Sequence, residues 1–206
     1  MDLSAFPRVY PPSEDSHLLV DAVVSECLPA TAEAPALLTA IEVGVGSGYV
    51  IEQVALHWER AMLTTSLYVL GTDINPEAVA RARHLLFRCR SVITDFILTD
   101  TVSGIRYEAA DWIWMNPPYV CTSAAECREA QARRDIAAAW AGGEHGTQII
   151  QRWLCALGKG DRGDDERRQS SPSVLLVAPE SCRPPSTQHI VLRRRAGDER
   201  LWVLRL

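Results

Sequence analysis

The sequence predicts a single α/β domain over residues 1–206, in which helices cover a mostly parallel sheet. The chain has 206 residues and 47% hydrophobic content, which suffices for one domain with its own core. Short apolar runs alternate with stretches of helical periodicity, as parallel sheets require. Glycines or polar residues follow four successive apolar runs, at the strand ends where open α/β sheets bind ligands.

The composition limits the classes of function. A formal net charge of −5 gives no basic face for duplex nucleic acid, so a nucleic-acid partner is not expected. The N-terminus lacks a secretory signal and no apolar run approaches the length of a membrane span, so we expect a soluble, cytoplasmic protein, with nuclear presence allowed. The six cysteines form no C-x-x-C pair, which predicts reduced thiols and no metal site within this chain.

The first helix is predicted after a Pro-Pro pair, within an N-terminal helical extension over residues 1–30. Ser13 is its predicted N-cap, and Glu14 and Asp15 complement the helix dipole in the first turn. The pattern favours a helix that packs at the edge of the domain. A second interpretation, in which the first turn near Ser16 closes over a ligand, stays open.

The first buried strand, Leu37 to Val43, runs into the glycine loop Gly44-Val45-Gly46-Ser47-Gly48. Glycines let the backbone turn sharply and approach a ligand closely, and a helix is predicted directly afterwards, from Tyr49 to about Arg60. Tyr49 occupies the place of the third glycine of a dinucleotide fingerprint. The spacing therefore suits a smaller nucleoside without a pyrophosphate, although the loop alone is a weak signal.

Acidic residues follow the next two predicted strands. Asp73 comes after Leu67 to Gly71, where an acid commonly accepts both ribose hydroxyls of a nucleoside; a solvated strand-end Asp is the alternative. Asn75 and Pro76 then start a helix as N-cap and first residue. In the third strand, Ser91 to Ile97, Asp95 could accept from an adenine amino group with Phe96 against the ring, although alone it would be an ordinary loop residue.

The fourth strand, Trp112 to Met115, ends in Asn116-Pro117-Pro118-Tyr119. Two consecutive prolines can continue neither a strand nor a helix, so the backbone makes a stiff turn. Such a turn can present a side-chain and a backbone carbonyl as acceptors beside an aromatic ring, which suits a planar group bearing NH2. A lone Asn-Pro-Pro would favour a simple turn; the glycine loop and Asp73 favour a ligand site.

The remainder of the chain completes the predicted domain. Residues 121–135 are polar and alanine-rich, and are predicted as a mobile substrate lid, while residues 159–172 are predicted as a charged surface loop. The other predicted elements are a helix from Thr147 to Leu157, a fifth strand from Val174 to Val177, and a closing hairpin of Ile190 to Arg194 with Leu201 to Leu206.

The motifs together resemble a known family. The glycine loop, Thr72-Asp73-Ile74-Asn75-Pro76-Glu77-Ala78 and the Asn-Pro-Pro-Tyr turn resemble the Rossmann-like class I methyltransferases that use S-adenosylmethionine (SAM). Further stretches resemble the eukaryotic and archaeal protein-glutamine N5-methyltransferases, which modify the Gly-Gly-Gln loop of the class 1 translation release factor. These stretches are Tyr10-x-Pro12-x-Glu14-Asp15-Ser16, Val92-Ile93-Thr94-Asp95, Ala138-Ala139-Trp140-Ala141-Gly142-Gly143 and Arg195-Ala196-Gly197-Asp198-Glu199-x-Leu201.

The resemblance covers nearly the whole chain and implies a seven-stranded, mostly parallel sheet with a C-terminal antiparallel hairpin. It implies that Asn116, Pro117 and Tyr119 are catalytic and that, with Pro118, they bind the substrate. The implied SAM-binding residues are Ser16, where the family usually has Thr, and Glu42, Gly44, Gly46, Gly48, Asp73, Ile74, Asp95, Phe96 and Asn116.

The resemblance also implies a partner. The family's catalytic subunit works as a heterodimer with a small zinc-binding activator, which covers an apolar surface beside the third strand. Val92, Ile93 and the predicted helix through Leu85, Leu86 and Phe87 are the candidates for that surface.

Three features depart from the family pattern. The loop over residues 159–172 is longer and more charged, Tyr49 replaces a small or aliphatic residue, and the stretch from Pro179 to His189 is short enough to truncate or remove a helix. Two alternatives remain open: an adenine-N6 nucleic-acid methyltransferase, which arginines in residues 121–135 could serve, and a SAM-binding partner subunit without catalysis.

Overall fold

A computed structural model of the chain describes residues 3–27, 35–61, 65–86, 92–158, 172–182 and 189–206. In chain order, its helices and strands are α1 Glu14–Cys27, β1 Leu37–Val43, α2 Tyr49–Arg60, β2 Ser66–Asp73, α3 Pro76–Leu86, β3 Ile93–Leu98, β4 Trp112–Met115, β5 Val120–Cys121, α4 Ala124–Arg133, β6 Ala141–Gly143, α5 Gln148–Ala156, β7 Ser173–Pro179, β8 His189–Ala196 and β9 Glu199–Arg205.

The main sheet has seven strands in the order β3-β2-β1-β4-β7-β9-β8. Strands β1, β2, β3, β4 and β7 are parallel, and β9 runs antiparallel between β7 and β8. The predicted α/β sheet with a C-terminal antiparallel hairpin is therefore confirmed. The strand order reverses between β1 and β4, and ligands bind at the carboxyl ends of strands beside such a reversal.

Helices cover both faces of this sheet, and each interface is apolar. On one face, α1 and α2 pack through residues such as Leu19 and Ile51, which are fully buried. On the other face, α5 packs through Ile150 and Trp153, which are also buried. Each such side chain contributes about 1.5–3 kcal/mol by leaving water. The strand ends are thus fixed by a core on either side.

The predicted start of α3 is confirmed in detail, because the Glu77 backbone N–H donates to Asn75 Oδ1 at 2.9 Å. The helix lies over residues 76–86, and the predicted continuation to Phe87 falls outside the described residues.

Two stretches differ from the simple predictions. Residues 121–135, expected as a mobile substrate lid with no secondary structure assigned, contain helix α4, which Ser123 and Glu126 start as a reciprocal capping box. Strands β5 and β6 also form a small parallel sheet that was not predicted.

In the shortened stretch after Pro179, a single 3₁₀ turn spans Glu180–Cys182, and residues 183–188 lie outside the described part. The predicted surface loop, except for Pro172, also lies outside it. Within the described ranges no helix is long and apolar enough to cross a membrane. The same residues contain no cluster of three or more His, Cys, Asp or Glu side chains that could hold a metal ion.

Candidate active site

A cavity of about 100 Å³ opens at the carboxyl ends of β1, β2 and β4, where open α/β sheets bind ligands. Residues from the glycine loop, the Asn-Pro-Pro-Tyr turn, the N-terminal segment and α4–α5 meet there. The lining residues are Val9, Tyr10, Val43, Gly44, Gly46, Asp73, Ile74, Asn75, Ala78, Asp100, Thr101, Met115, Asn116, Pro118, Gln131, Asp135, Ala138, Ala139, Ile149 and Arg152.

The glycine loop is held in place by the end of the neighbouring strand. The backbone N–H groups of Gly44 and Val45 both donate to the Thr72 carbonyl, at 2.8 and 2.9 Å, and Gly46 N–H donates to Asp73 Oδ2 at 2.9 Å. A Cβ atom added at Gly44 or Gly46 would meet no atom within 4 Å. The loop is therefore fixed from below and leaves open space above it for a ligand.

Asp73 fixes both the glycine loop and the start of α3. Its Oδ1 accepts from Asn75 N–H at 2.8 Å, while Oδ2 accepts from Gly46. Burial raises the pKa of Asp73, although the hydrogen bonds from the Asn75, Gly46 and Ile74 backbone act in the opposite direction. Each carboxylate oxygen has a second lone pair, so Asp73 can still accept hydroxyl groups from a ligand.

Glu42 lies beneath the cavity in β1. Only 3% of its surface is exposed, its Oε2 has no hydrogen-bond partner, and burial raises its pKa to about 8. It does not line the cavity itself. An unpaired polar oxygen in a buried position costs free energy, so a ligand group that reached Glu42 from the cavity would gain a hydrogen bond there.

Asn116 provides the second unpaired oxygen. It follows β4 and lines the cavity with Met115 and Pro118, and its Oδ1 is buried without any hydrogen-bond partner. The two prolines that follow stiffen the backbone, so the Asn116 side chain projects from a backbone of fixed conformation. Chemically, the position suits an N–H donor brought in by a ligand or substrate.

Tyr119 closes the turn from behind rather than lining the cavity. Its hydroxyl donates to Asp15 Oδ2 at 2.7 Å, and burial, with the charge and hydrogen bond of Asp15, raises the pKa of Tyr119. The backbone is clamped as well: Val120 N–H donates to the Trp140 carbonyl at 2.9 Å, and a Cβ at Gly146 would stand 2.1 Å from the Tyr119 carbonyl oxygen. The turn therefore touches two distant parts of the chain.

The far wall of the cavity is closed by polar residues that the sequence analysis missed. Arg152 of α5 donates to Asp100 Oδ1 at 2.9 Å and to Gln131 Oε1 of α4 at 3.3 Å. These contacts tie α4 to the segment after β3. Asp100 lies two residues after Leu98, the last residue of β3. A sequence prediction that extended the third strand to Leu98 would have indicated Asp100 as the acid at the strand end.

The structure brings six of the predicted site residues to the cavity: Gly44, Gly46, Asp73, Ile74, Asn116 and Pro118. Ser16, Glu42, Gly48, Pro117 and Tyr119 lie beside or behind it. Gly48 has a packing reason, because its Cβ would come within 3.0 Å of the Ala82 backbone, so it allows α2 to approach α3. Ser16 faces Asp15, whose Oδ1 lies 3.3 Å from Ser16 Oγ.

Asp95 and Phe96 need a correction of position. Strand β3 continues to Leu98, and the register pairs Asp95 with Leu70, so Asp95 lies three residues before the strand ends. Its carboxylate accepts from the Tyr68 hydroxyl at 3.2 Å, and Phe96 lies beneath Gly71. The acid at the end of the strand in the cavity is Asp100, and a role of Asp95 and Phe96 toward adenine rests on the family resemblance alone.

Curated relatives resemble the chain over most of its length. The eRF1 methyltransferase catalytic subunit mtq2 of Schizosaccharomyces pombe is 32% identical over 223 aligned positions, which cover 99% of this chain and 91% of that protein. Methyltransferase HEMK2 of Homo sapiens is 37% identical over 153 residues, 73% of this chain. The match spans 65% of the human protein's length. No protein-family model matches the sequence.

Solved structures share the fold at low sequence identity. The ribosomal protein L11 methylase of Lactobacillus delbrueckii superposes with a TM-score of 0.56 at 15% identity, covering 96% of this chain and 81% of that one. A 16S rRNA N2 G1207 methyltransferase of T. thermophilus gives a TM-score of 0.55 at 13% identity, covering 94% and 43%. The fold is therefore the Rossmann-like fold of class I SAM-dependent methyltransferases, as predicted.

Proposed function

We propose a function from one premise: this chain belongs to the family of release factor glutamine methyltransferases that includes the eRF1 methyltransferase catalytic subunit mtq2. The chain transfers a methyl group from SAM to the N5 nitrogen of the glutamine in the Gly-Gly-Gln loop of the class 1 translation release factor. It acts as the catalytic subunit of a heterodimer with a small zinc-binding activator.

The observation that carries this proposal is the buried, unpaired Oδ1 of Asn116 in the wall of the cavity. A primary amide offers two N–H donors in one plane. Asn116 Oδ1 accepts one of them, and the Pro117 carbonyl, which belongs to the same stiff turn, accepts the other. A substrate amide thus satisfies an acceptor that is otherwise left without a partner at a cost in free energy.

The residues present fit SAM as the cofactor. The open space over Gly44 and Gly46 and the unpaired Oε2 of Glu42 suit its methionine end, and the free lone pairs of Asp73 suit its ribose hydroxyls. SAM supplies a methyl group on a sulfonium centre. Gly44, Asp73 and Asn116 all line one cavity, so cofactor and amide can meet within it.

The chain's own residues contribute mainly by positioning. An amide nitrogen is a poor nucleophile because its lone pair is delocalised into the carbonyl, so its orientation must be imposed. Asn116 and the Pro117 carbonyl fix the nitrogen through its N–H groups, and positioning of this kind can supply about 7–11 kcal/mol of a barrier. Residues 121–135 exclude water as a substrate lid, through α4 and its contact with Arg152.

The experiment is mass spectrometry of a Gly-Gly-Gln peptide after incubation with the chain, the activator and SAM. We expect one methyl group on the glutamine side chain. Asn116→Ala should reduce the rate by at least about 100-fold, in the range seen when one fixed transition-state contact is removed. Gln53→Ala, which removes an amide side chain on α2 outside the cavity, should keep the wild-type rate and melting temperature. Near-wild-type turnover by Asn116→Ala would refute the assigned role.

The same assay separates the two alternatives. A DNA or RNA oligonucleotide containing adenine serves as a second substrate, and methylation of it without methylation of the peptide would favour the nucleic-acid enzyme. Arg133 of α4 already pairs with Glu129 at 3.0 Å and Asp135 at 3.3 Å, which reduces the charge available to phosphates. No product on either substrate, with SAM bound and the activator present, would favour a partner subunit without catalysis.

The activator would bind at the open edge of the sheet. Strand β3 has no neighbour beyond it in the described sheet, and Ile93, Ile97 and Leu98 are 59%, 42% and 48% exposed. An apolar edge strand left open in a monomer invites pairing with another chain. Of the candidates predicted from the sequence, Ile93 fits this surface, whereas Val92 and Leu86 are buried and Phe87 lies outside the described residues.

The edge is tested by coexpression with the activator. Ile93→Lys and Ile97→Lys should lose copurification of the activator, because each places a charge in the apolar interface. Leu56→Lys changes a 36% exposed leucine on α2, away from this edge, and should retain the partner. Retention by both β3 variants would place the activator elsewhere.

A further inference from the structure

The first turn of α1 reaches the catalytic turn through one carboxylate. Tyr119 Oη donates to Asp15 Oδ2 at 2.7 Å, and the two residues are separated by 104 positions in sequence. The other oxygen, Oδ1, accepts from the Ser16 N–H at 2.7 Å and from the Ser13 hydroxyl at 2.6 Å. Asp15 is therefore held by its own helix turn while it holds the end of the Asn-Pro-Pro-Tyr turn.

The side chain of Asn116 lies near enough to Asp15 to help lower the pKa of that carboxyl group. Burial raises the pKa of Asp15, but hydrogen bonds from Ser13, Tyr119 and Asn116 outweigh it, so the pKa lies below its ordinary value and the group is a carboxylate at neutral pH. A carboxylate can only accept hydrogen bonds. Asn116 Oδ1 is buried without a hydrogen-bond partner, so the amide does not use its oxygen toward Asp15, and its NH2 group is the part suited to that carboxylate.

This orientation explains the unpaired oxygen in the cavity. When the NH2 group of an asparagine is directed to one side, its carbonyl oxygen is directed to the other. Asn116 Oδ1 is buried and without a partner while Asn116 lines the cavity. If the amide turned over, its NH2 group would face the N–H groups of a substrate amide, and two donors would oppose each other.

We propose that Asp15 is a positioning residue that sets the orientation of the Asn116 amide and holds the Tyr119 ring, so that Asn116 Oδ1 is presented to the substrate. The inference rests on the proposed function and extends it, because the family resemblance assigned a role on this helix to Ser16 alone. Asp15 does not line the cavity, so it would act through Asn116 and Tyr119.

Asparagine labelling provides a direct test, because the chain contains two asparagines, Asn75 and Asn116. In protein labelled with ¹⁵N-asparagine, each side-chain NH2 group gives its own NMR signal. The Asn75 NH2 group donates to the Arg8 carbonyl at 2.8 Å and serves as the internal reference. In Asp15→Ala, and in Asp15→Asn, which adds the NH2 signals of a third asparagine, the Asn116 NH2 signals should shift and exchange faster with water, while those of Asn75 stay unchanged.

The kinetic test uses the same variants on the Gly-Gly-Gln peptide with the activator present. Asp15→Asn keeps the size of the side chain but can itself donate a hydrogen bond, so we expect kcat to fall by about 10- to 100-fold, as misplaced reacting groups do. The Kd for SAM should stay within about twofold, since the Gly44 and Asp73 side is untouched. Asp21→Asn, on the same helix but paired with Arg194 at the surface, should leave kcat unchanged.

The outcomes distinguish this inference from the proposed function. Wild-type kcat in Asp15→Asn, or unchanged Asn116 signals in both Asp15 variants, would overturn the positioning role while leaving the glutamine methyltransferase proposal intact. Absence of peptide methylation by the wild-type heterodimer would overturn the function. In that case a shift of the Asn116 signals in the Asp15 variants would still establish the contact, but its role in presenting Oδ1 to a glutamine would be overturned as well.

Discussion

The two sides of the cavity are built in different ways, although one ligand site lies between them. The cofactor side consists of the glycine loop after β1 and Asp73 after β2, and these strands are neighbours in the sheet. Its hydrogen bonds run between those two strand ends, from Gly44 and Val45 to the Thr72 carbonyl and from Gly46 to Asp73. The two motifs on this side therefore support each other.

The catalytic turn depends on distant residues instead. The Tyr119 hydroxyl donates to Asp15 of α1, and the Tyr119 backbone is held against Gly146, which lies before α5. The two prolines make the turn stiff but do not determine its direction. The stiffness of the turn and its orientation therefore have separate origins. The prolines of the motif make the turn stiff, and contacts with two distant parts of the chain determine its orientation.

The largest expected effect concerns Asp73. Asp73→Ala removes two charged hydrogen bonds to a bound ribose, each worth about 1.5 kcal/mol, so the affinity for SAM should fall by about 100-fold. It also frees Gly46 N–H and Asn75 N–H. Isothermal calorimetry measures the affinity, with Asp198→Ala in the exposed hairpin turn as control. An affinity within threefold of wild type would remove Asp73 from the ribose site.

A smaller effect, on the other side, is expected for Gly146→Ala. The new Cβ would stand 2.1 Å from the Tyr119 carbonyl oxygen, so the turn must shift, and we expect kcat to fall by about 10-fold or more with little change in SAM affinity. Gly197→Ala is the matched control, because Gly197 has a similar φ of 60° against 66° but no atom within 4 Å of its Cβ. Equal kinetic losses in both variants would mean that backbone strain, not the contact, is responsible.

The smallest effect concerns pH and the buried Glu42. Its pKa is raised by burial from 4.5 to about 8, so between these values the folded chain holds a proton that the unfolded chain has lost. This contribution to the free energy of unfolding is therefore fully present below pH 4.5 and is lost as the pH rises through 8.

Glu42→Gln removes that dependence. At pH 9 its melting temperature should exceed that of the wild type by at least about 2–4 °C, and at pH 4 the two should agree within that margin. Calorimetry across this range measures the difference, with the exposed Glu108→Gln as control. Parallel pH dependence of the melting temperatures of wild type and Glu42→Gln would show that folding does not raise the pKa of Glu42. This experiment sharpens the comparison, because it asks whether the cofactor side carries a cost in stability when no ligand is bound.

The cofactor side could be predicted from the sequence because its signals are local. An apolar run, a glycine loop and a helix start follow each other directly, and parallel strands bring Gly44, Gly46 and Asp73 together without further information. The same reasoning predicted the end of β4 and the closing hairpin. Asp95 shows where local signals fail. Strand β3 continues through Ile97 and Leu98, so it ends near Asp100 and not near Asp95.

The orientation of the catalytic turn could not be predicted from local sequence. Asp15 has the composition of an ordinary helix start, where acids are common, and nothing nearby in sequence identifies Tyr119 as its partner. Gly146 likewise looks like a turn residue until the close approach of the Tyr119 carbonyl is known. The parallel pairing of β5 with β6 escaped prediction as well, because strands of two and three residues carry too little periodicity to be recognised.

The N-terminal segment gives the site a boundary that differs from that of the sheet. The Arg8 carbonyl accepts from Asn75 Nδ2 at 2.8 Å, its N–H donates to Glu77 Oε2 at 3.2 Å, and Val9 and Tyr10 line the cavity. A truncation that removes the residues before α1 would leave every described helix and strand intact, but it would remove Val9 and Tyr10 from the wall of the cavity. Shortened versions that melt like the full chain can therefore still lose ligand binding.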